Sequence, residues 1–202
     1  PQKHGLRMEV RKGYKRTEVG VIPEDWKVVR FEDAFVGFTT GMTPYRGTPS
    51  FYTGKINWIT SGELNYNLIR ETKEHITEDA VAKTNLTVHK PGTFLMAITG
   101  LEAAGTRGSC GIVGHPATTN QSCLALNAIP GVSLIEYLYH YYVFYGDEYA
   151  LKYCQGTKQQ SYTGKIVRRL PIVLPPTIHE QRAIATALSD TDNLITALDK
   201  LI

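Results

Sequence analysis

The chain has 202 residues, 42% of them apolar and 20% charged, with a formal net charge of +3; that is enough to fill one core and short for two. No apolar run reaches bilayer-spanning length and no basic-then-apolar leader opens the chain, so a cytoplasmic protein without membrane contact is expected. Cys110, Cys123 and Cys154 are odd in number and lack Cys-x-x-Cys spacing, which argues against a disulfide frame or a finger-type zinc site and leaves buried free thiols.

The predicted elements begin after an aperiodic basic stretch. Residues 1–13 are expected to be a tag remnant or disordered tail, residues 14–176 the globular domain, and residues 177–202 the start of a long helix. Within 23–38, Trp26, Val28, Phe31, Phe35 and Phe38 are suited to one apolar cluster, and 32–35 to a single helical turn. Residues 41–54 hold Gly, Pro, Ser and Thr at turn density, which predicts a loop with Tyr45 and Arg46 near its apex. A strand is predicted over 55–60, a polar loop over 63–67, and a short helix capped by Thr77. A buried strand follows over 93–99, a glycine-rich turn over 105–111, and an alternating strand over 122–128.

Two helices have legible starts. Ser133 and Glu136 fit a capping box, and the tyrosines that follow (137, 141, 142, 145, 149, 153) cover most of the helix circumference, so they are read as core with hydroxyls at the surface. Pro175-Pro176 stops a strand, and Thr177 with Glu180 fits a second capping box. From there Ile184, Leu188, Thr191, Ile195, Leu198 and Ile202 recur at alternating spacings of 4 and 3, a heptad seam weakened at Thr191 that needs a partner along its length. Many short strands, two definite helices and no strand-helix alternation predict an α+β fold with a mixed or antiparallel sheet, followed by a long C-terminal coiled-coil-type helix.

Catalytic patterns fail on specific residues. The Pro-Pro pair is Leu174-Pro175-Pro176-Thr177, without the polar clamp and aromatic that hold a target amine. The run from Gly100 to Gly105-Thr106-Arg107 imitates a phosphate loop but lacks its Lys-Ser/Thr, and His179-Glu180 lacks the second metalloprotease histidine. Glu63 and Lys55 flank one strand without further acids, so neither a catalytic set nor a metal set is assigned.

Charge placement is more informative than its sum. Residues 1–30 carry eight Lys/Arg against four acids, and 152–169 carry five against none. A basic stretch interleaved with Gly, Ser, Thr, Gln and Tyr suits a polyanion, although a solvated loop is the plainer account. Lys152, Lys158, Ser161, Lys165, Arg168 and Arg169 are the candidates for phosphate contact. Base edges are read by exposed side chains able to bond bidentately or stack, which selects Tyr45, Arg46, Asn65, Asn67, Arg107, Gln159 and Gln160. Asn120-Gln121 is assigned a structural hydrogen-bonding role at least as readily.

Residues 156–176 (GTKQQSYTGKIVRRLPIVLPP) followed by HEQRAIATALSDTDNLI resemble the end of a target recognition domain in the DNA-specificity subunit of type I restriction-modification enzymes. Residues 14–26 (YKRTEVGVIPEDW), Gly41-Met42-Thr43-Pro44 and residues 56–62 (INWITSG) are similar to that family's earlier signatures, so the resemblance covers 14–202. It implies a duplex-DNA-binding subunit that performs no chemistry and carries no cofactor. S-adenosylmethionine would sit on adenine-N6 methyltransferase subunits, and ATP with Mg on a restriction subunit. It also implies that one half of a split target is read, the other falling to a second recognition domain or a second copy. The helix from Thr177 would be spacer and docking surface through Ile184, Leu188, Ile195, Leu198 and Ile202. Two other readings remain: the recognition domain of a single-chain type II restriction-methyltransferase, and a coiled-coil protein-interaction module whose basic loop is incidental.

Overall fold

The computed structural model of the protein describes residues 10–103, 105–156 and 160–201. Strands β1 (Tyr14–Thr17) and β2 (Gly20–Pro23) form a hairpin, and β3 (Lys27–Arg30) leads into the single-turn helix α1 (Phe31–Ala34) and β4 (Phe35–Thr40). Then come β5 (Ile56–Ile59), β6 (Asn67–Ile69), β7 (His75–Ile76) and α2 (Glu78–Thr84). The chain continues through β8 (Phe94–Ala97), β9 (Cys110–Val113), β10 (Ala117–Thr119) and β11 (Cys123–Ala128). It closes with α3 (Ile135–Tyr153), α4 (Gly164–Arg168), β12 (Pro171–Leu174) and α5 (Ile178–Asp199).

The main sheet has strand order β4-β11-β8-β9-β6, antiparallel except where β6 runs parallel to β9. This is the expected α+β arrangement with a mixed sheet. Its centre, β8, is buried at all four residues, which is why its sequence is continuously apolar rather than alternating. A smaller sheet, β10-β5-β7, encloses a second apolar cluster of Phe51, Trp58, Ile76 and Ala80. The expected 23–38 cluster forms: Phe31 and Phe35 are buried in edge-to-face contact, with Trp26, Val28 and Phe38 packed against the same core.

Helix α3 lies over the main sheet, with Tyr142 edge-on to Phe94. Tyr137, Tyr141, Tyr142 and Tyr149 are core, as expected, with Tyr145 and Tyr153 partly buried against it, and the hydroxyls of Tyr137, Tyr141 and Tyr149 turn inward. Tyr137 donates to the Val173 carbonyl (2.8 Å), Tyr149 to that of Pro171 (2.8 Å), and Tyr141 shares a hydrogen bond with Tyr149. The reason is the β3-β12 ribbon, whose β12 edge offers unpaired carbonyls that a phenol can satisfy while its ring fills the core.

Both expected capping boxes are corrected. Thr177 accepts from the Glu180 amide (3.1 Å), but the Glu180 carboxylate accepts from the Trp26 indole (3.1 Å) instead of closing the box. At α3 the N-cap is Leu134, and Ser133 donates to the Ala34 carbonyl. Gln181 of α5 takes over the capping: its Oε1 accepts from Leu134 N and its Nε2 donates to the Val132 carbonyl, each at 3.0 Å. Helix α4, capped by Thr163, stands where a loop was expected. Cys110 and Cys123 are buried and Cys154 half-buried, and all three are free.

Candidate nucleic-acid interface

Strand register decides which loops share a surface. Thr40 at the end of β4 pairs with Leu124 near the start of β11, and Cys123 pairs with Ala97 at the end of β8. Met96 pairs with Cys110 at the start of β9, and Asn67 at the start of β6 pairs with Gly111. The segments 41–55, 60–66, 98–109 and 120–122 therefore all leave from one end of the sheet. The smaller sheet adds to the same end, because Ile59 and Thr119 finish β5 and β10 side by side and the Gly41 and Met42 amides donate to Asn120 and Thr119. Gly41 has no room for a side chain: a Cβ there would lie 1.7 Å from the Thr119 carbonyl oxygen.

Helix α3 returns the chain to this end. Ser161 bridges Thr99 and Gln155, Tyr162 N donates to the Ile98 carbonyl (2.8 Å), and Leu101 N to that of Gln160 (3.1 Å). The glycine-rich turn presses on α3 with backbone against backbone: a Cβ on Gly146 would lie 2.9 Å from the Gly108 Cα. That contact, not a phosphate, accounts for the glycines at 108 and 146.

The candidate readers differ in their engagement. Tyr45 is 74% exposed. Arg46 makes a two-pronged ion pair with Glu74, Nη1 at 2.5 Å and Nη2 at 2.8 Å, and its guanidinium lies 4.3 Å from the Tyr52 ring centre. This contact holds the Glu74 carboxylate below its usual range and raises Arg46. Asn65 and Asn67 are exposed, but the Asn67 side-chain oxygen accepts from the Asn65 amide (3.2 Å). Arg107 is tied to Asp147 on α3 (2.9 Å) and is largely covered. Gln160 is half-buried, not an open reader: its amide donates to Glu102, and its side-chain oxygen is buried without a partner among the described residues. Gln159 and Lys158 lie outside the described residues.

Tyr66 sits among these loops with φ +52°, a left-handed conformation costly for a tyrosine. Its amide donates to the Cys110 carbonyl, its hydroxyl to that of Arg107, and its own carbonyl accepts from Tyr139. Nothing in the local sequence marked it, nor the acids Glu74, Asp147 and Glu102, because each partner lies at least 28 positions away.

The described basic residues are spread over the end of α3 and the length of α4. Lys152 is exposed in the last turn of α3, with its ammonium 5.2 Å from the Tyr153 ring centre. Ser161 is half-buried at the loop end, and Lys165 and Arg168 are exposed on α4. Arg169 caps α4 beside Leu170, whose carbonyl accepts from Phe31 N at the opposite end of the sheet. Arg168 stacks over Phe38 at 4.2 Å. A bulge puts Phe38 there: Gly37 and Phe38 together oppose Leu126, with φ of +101° and +35°.

A second surface lies at the far end. Helix α5 packs on α3 through its first four turns, where Gln181 and Ala185 are buried, His140 Nε2 is 2.9 Å from Ser189 Oγ and His140 Nδ1 is 3.8 Å from the Asp192 carboxylate. The expected seam begins half-buried at Ile184, and its other described apolar members are bare: Leu188, Ile195 and Leu198 are exposed, as are Leu194 and Leu201, and Ile202 lies outside the described residues. A groove of about 640 Å³ between the β1-β2 hairpin, α3 and α5 is lined by Ile22, Trp26, His140, Phe144, Ile184 and Leu188. Among the described residues there is no cluster of potential metal ligands and no helix long and apolar enough to cross a membrane.

Comparison with known proteins agrees with this fold. The type I restriction enzyme MjaIX specificity subunit of Methanocaldococcus jannaschii is 32% identical over 188 residues, 90% of this chain and 41% of that protein. The HsdS subunit of Thermoanaerobacter tengcongensis has the same fold, with a TM-score of 0.64 and 18% identity over 95% of this chain and 43% of its own. The S subunit of a type I restriction-modification system from M. genitalium gives 0.60 and 18% over 87% and 41%. The chain thus spans about two-fifths of the length of these relatives. The model of the type I restriction modification DNA specificity domain matches residues 23–202, and the chain belongs to that family.

Proposed function

We propose that this chain is a target recognition domain that binds duplex DNA, reads one half of a split target, and delivers it to catalytic partners without doing chemistry itself. The observation that carries the reading is the gathering of 41–55, 60–66, 98–103, 105–109, 155–156 and 160–162 at one end of the sheet, with Lys152 exposed in the α3 turn that enters this end and Lys165 and Arg168 exposed on α4, which leaves it. Loops on a rigid scaffold supply side chains for base edges, and cations beside them supply phosphate contacts that fix the register. The bare stripe of α5 and the groove at its base suit docking of methyltransferase subunits, a restriction subunit, or the corresponding helix of a second recognition domain or copy. S-adenosylmethionine, ATP and Mg belong to those partners in this reading.

Titration of a labelled duplex with the 202-residue chain over a range of salt tests the proposal. Phosphate-led binding predicts that the logarithm of the binding constant falls linearly with that of the salt concentration, with a slope near −0.9 per phosphate neutralised. A constant that ignores salt, or no binding at low salt, would favour a pure protein-interaction module.

A further inference from the structure

Arg46 gives Glu74 one hydrogen from each terminal nitrogen, Nη1 to Oε1 and Nη2 to Oε2, which is the end-on geometry. A guanidinium has five N–H donors. End-on pairing leaves the Nε–H and the outer hydrogen of Nη2, which point the same way and form a second, side-on fork. Among the described residues nothing engages Nε, and the side chain keeps 53% of its surface exposed.

Everything that holds the arginine is itself anchored. Its guanidinium carbon lies 4.3 Å from the Tyr52 ring centre and 5.1 Å from that of Trp58. Tyr52 donates to the Pro44 carbonyl, and Trp58, 1% exposed, donates through its indole to that of Met42. The Glu74 backbone is pinned as well, its carbonyl accepting from Trp58 N and from the Thr72 hydroxyl. The arginine therefore has rings beneath it and a carboxylate behind it, and its open edge belongs to the loop end of the sheet.

We propose that Arg46 reads a guanine through its side-on Nε/Nη2 edge, and that Glu74 is the positioning residue that sets this edge. Guanine presents two acceptors, O6 and N7, on its major-groove edge, and a pair of parallel N–H donors matches them. Glu74 has a second effect. Its negative charge beside the guanidinium opposes capture of Arg46 by a phosphate, so the arginine favours a neutral two-acceptor base edge over the backbone. The inference rests on the DNA-binding reading and extends it to one residue pair and one base.

The test uses the 202-residue chain and a pool of duplexes with a randomised stretch, selected by binding and sequenced. The wild-type chain should enrich a guanine at one position. Arg46→Ala should lose that preference alone, and Arg46→Lys, whose flexible ammonium lacks the rigid fork, should weaken it. Glu74→Ala should weaken it by roughly fivefold or more while tightening binding to an unselected duplex at low salt, an effect that a merely structural role would not produce. Placing 7-deazaguanine at that position removes N7 and should weaken wild-type binding by about tenfold without further weakening Arg46→Ala. That arm needs only the wild-type chain should the variants fail to fold. Identical enriched sequences for wild type and Arg46→Ala, indifference to 7-deazaguanine, or an unchanged preference in Glu74→Ala would overturn the assignment while leaving the DNA-binding reading intact. If the wild-type chain enriches no sequence, both fall together.

Discussion

Gln181 joins the recognition domain to its C-terminal helix, and removing its amide has a calculable effect. The residue is 1% exposed, and its two hydrogen bonds, to Leu134 N and the Val132 carbonyl, are the side-chain link between the start of α3 and the first turn of α5. In Gln181→Ala the Val132 carbonyl, in an exposed residue, regains water at a net loss of about 1 kcal/mol, whereas half-buried Leu134 N stands closer to the full penalty of ~1–3 kcal/mol. The sum is about 2–4 kcal/mol, a large share of the 5–15 kcal/mol that stabilises a typical domain. For a chain of this size that lowers Tm by roughly 4–16 °C, measurable by circular dichroism and by urea midpoint. Gln181→Met keeps the volume without the bonds and separates hydrogen bonding from cavity formation, and neighbouring Arg182→Ala, which is exposed, should stay within about 0.5 kcal/mol. If both Gln181 variants lie within about 0.5 kcal/mol of wild type, the claim that this side chain fastens α5 to α3 is wrong.

Three further outcomes are expected. Lys165→Ala with Arg168→Ala should weaken binding to all duplexes alike and reduce the magnitude of the salt slope by about 1.8 if each cation contacts one phosphate; an unchanged slope removes them from the interface. Burial depresses the His140 pKa below 6.5, with the Asp192 carboxylate opposing it. Below that pH the unfolded chain binds a proton that the folded chain does not, so stability is fully present above pH 6.5 and is lost as pH falls. Urea melts at pH 7 and pH 5 should show that loss, smaller in His140→Gln, and equal losses in the two proteins would refute the linkage. Leu194→Asp with Leu198→Asp should leave Tm unchanged, because both side chains are exposed, yet abolish any self-association seen by sedimentation; a large drop in Tm would mean that the stripe already packs within the chain.

What the sequence made legible was periodicity and punctuation. The buried β8 run, the Thr77 and Thr177 caps and the length of α5 follow from local pattern, and the structure keeps them. Hydrogen-bond destinations were hidden because they depend on residues distant along the chain. Glu180 has the right spacing for a capping box, yet Trp26, 154 positions earlier, takes its carboxylate. Gln181 carries no local signal at all, and its partners lie 47 and 49 residues away. Helix α4 was obscured by the Ser-Tyr-Thr-Gly run before it, although Thr163 followed by Ile166 and Val167 is a short capped helix once Tyr162 and Val167 have a core to enter. Arg46 was recognisable as an exposed arginine on a loop. That its end-on fork is occupied and its side-on fork open depends on Glu74, a residue that nothing in the loop's own composition identifies.

Under the proposed function the two ends of the sheet have different tasks, and α3 connects them. Its start is gripped by Gln181 at the end where α5 leaves, its later turns meet the glycine-rich turn at Gly108 and Gly146, and its last residues feed the Gln155–Ser161 bridge. Nineteen residues at about 1.5 Å each hold the reading loops roughly 28 Å from the base of the docking helix. A helix with its phenols locked onto β12 is stiff, so that separation does not depend on what the loop tips contain. If the proposed function holds, substitutions at Tyr45, Arg46, Asn65 or Asn67 change which bases are contacted while leaving DNA and docked partners in the same relative position. Changes at Gln181, Trp26 or Glu180 would shift that position while leaving the reading residues as they are. On that reading the fold lets sequence preference vary independently of assembly geometry, because the proposed reading residues and the residues that fasten α5 lie at opposite ends of one rigid element.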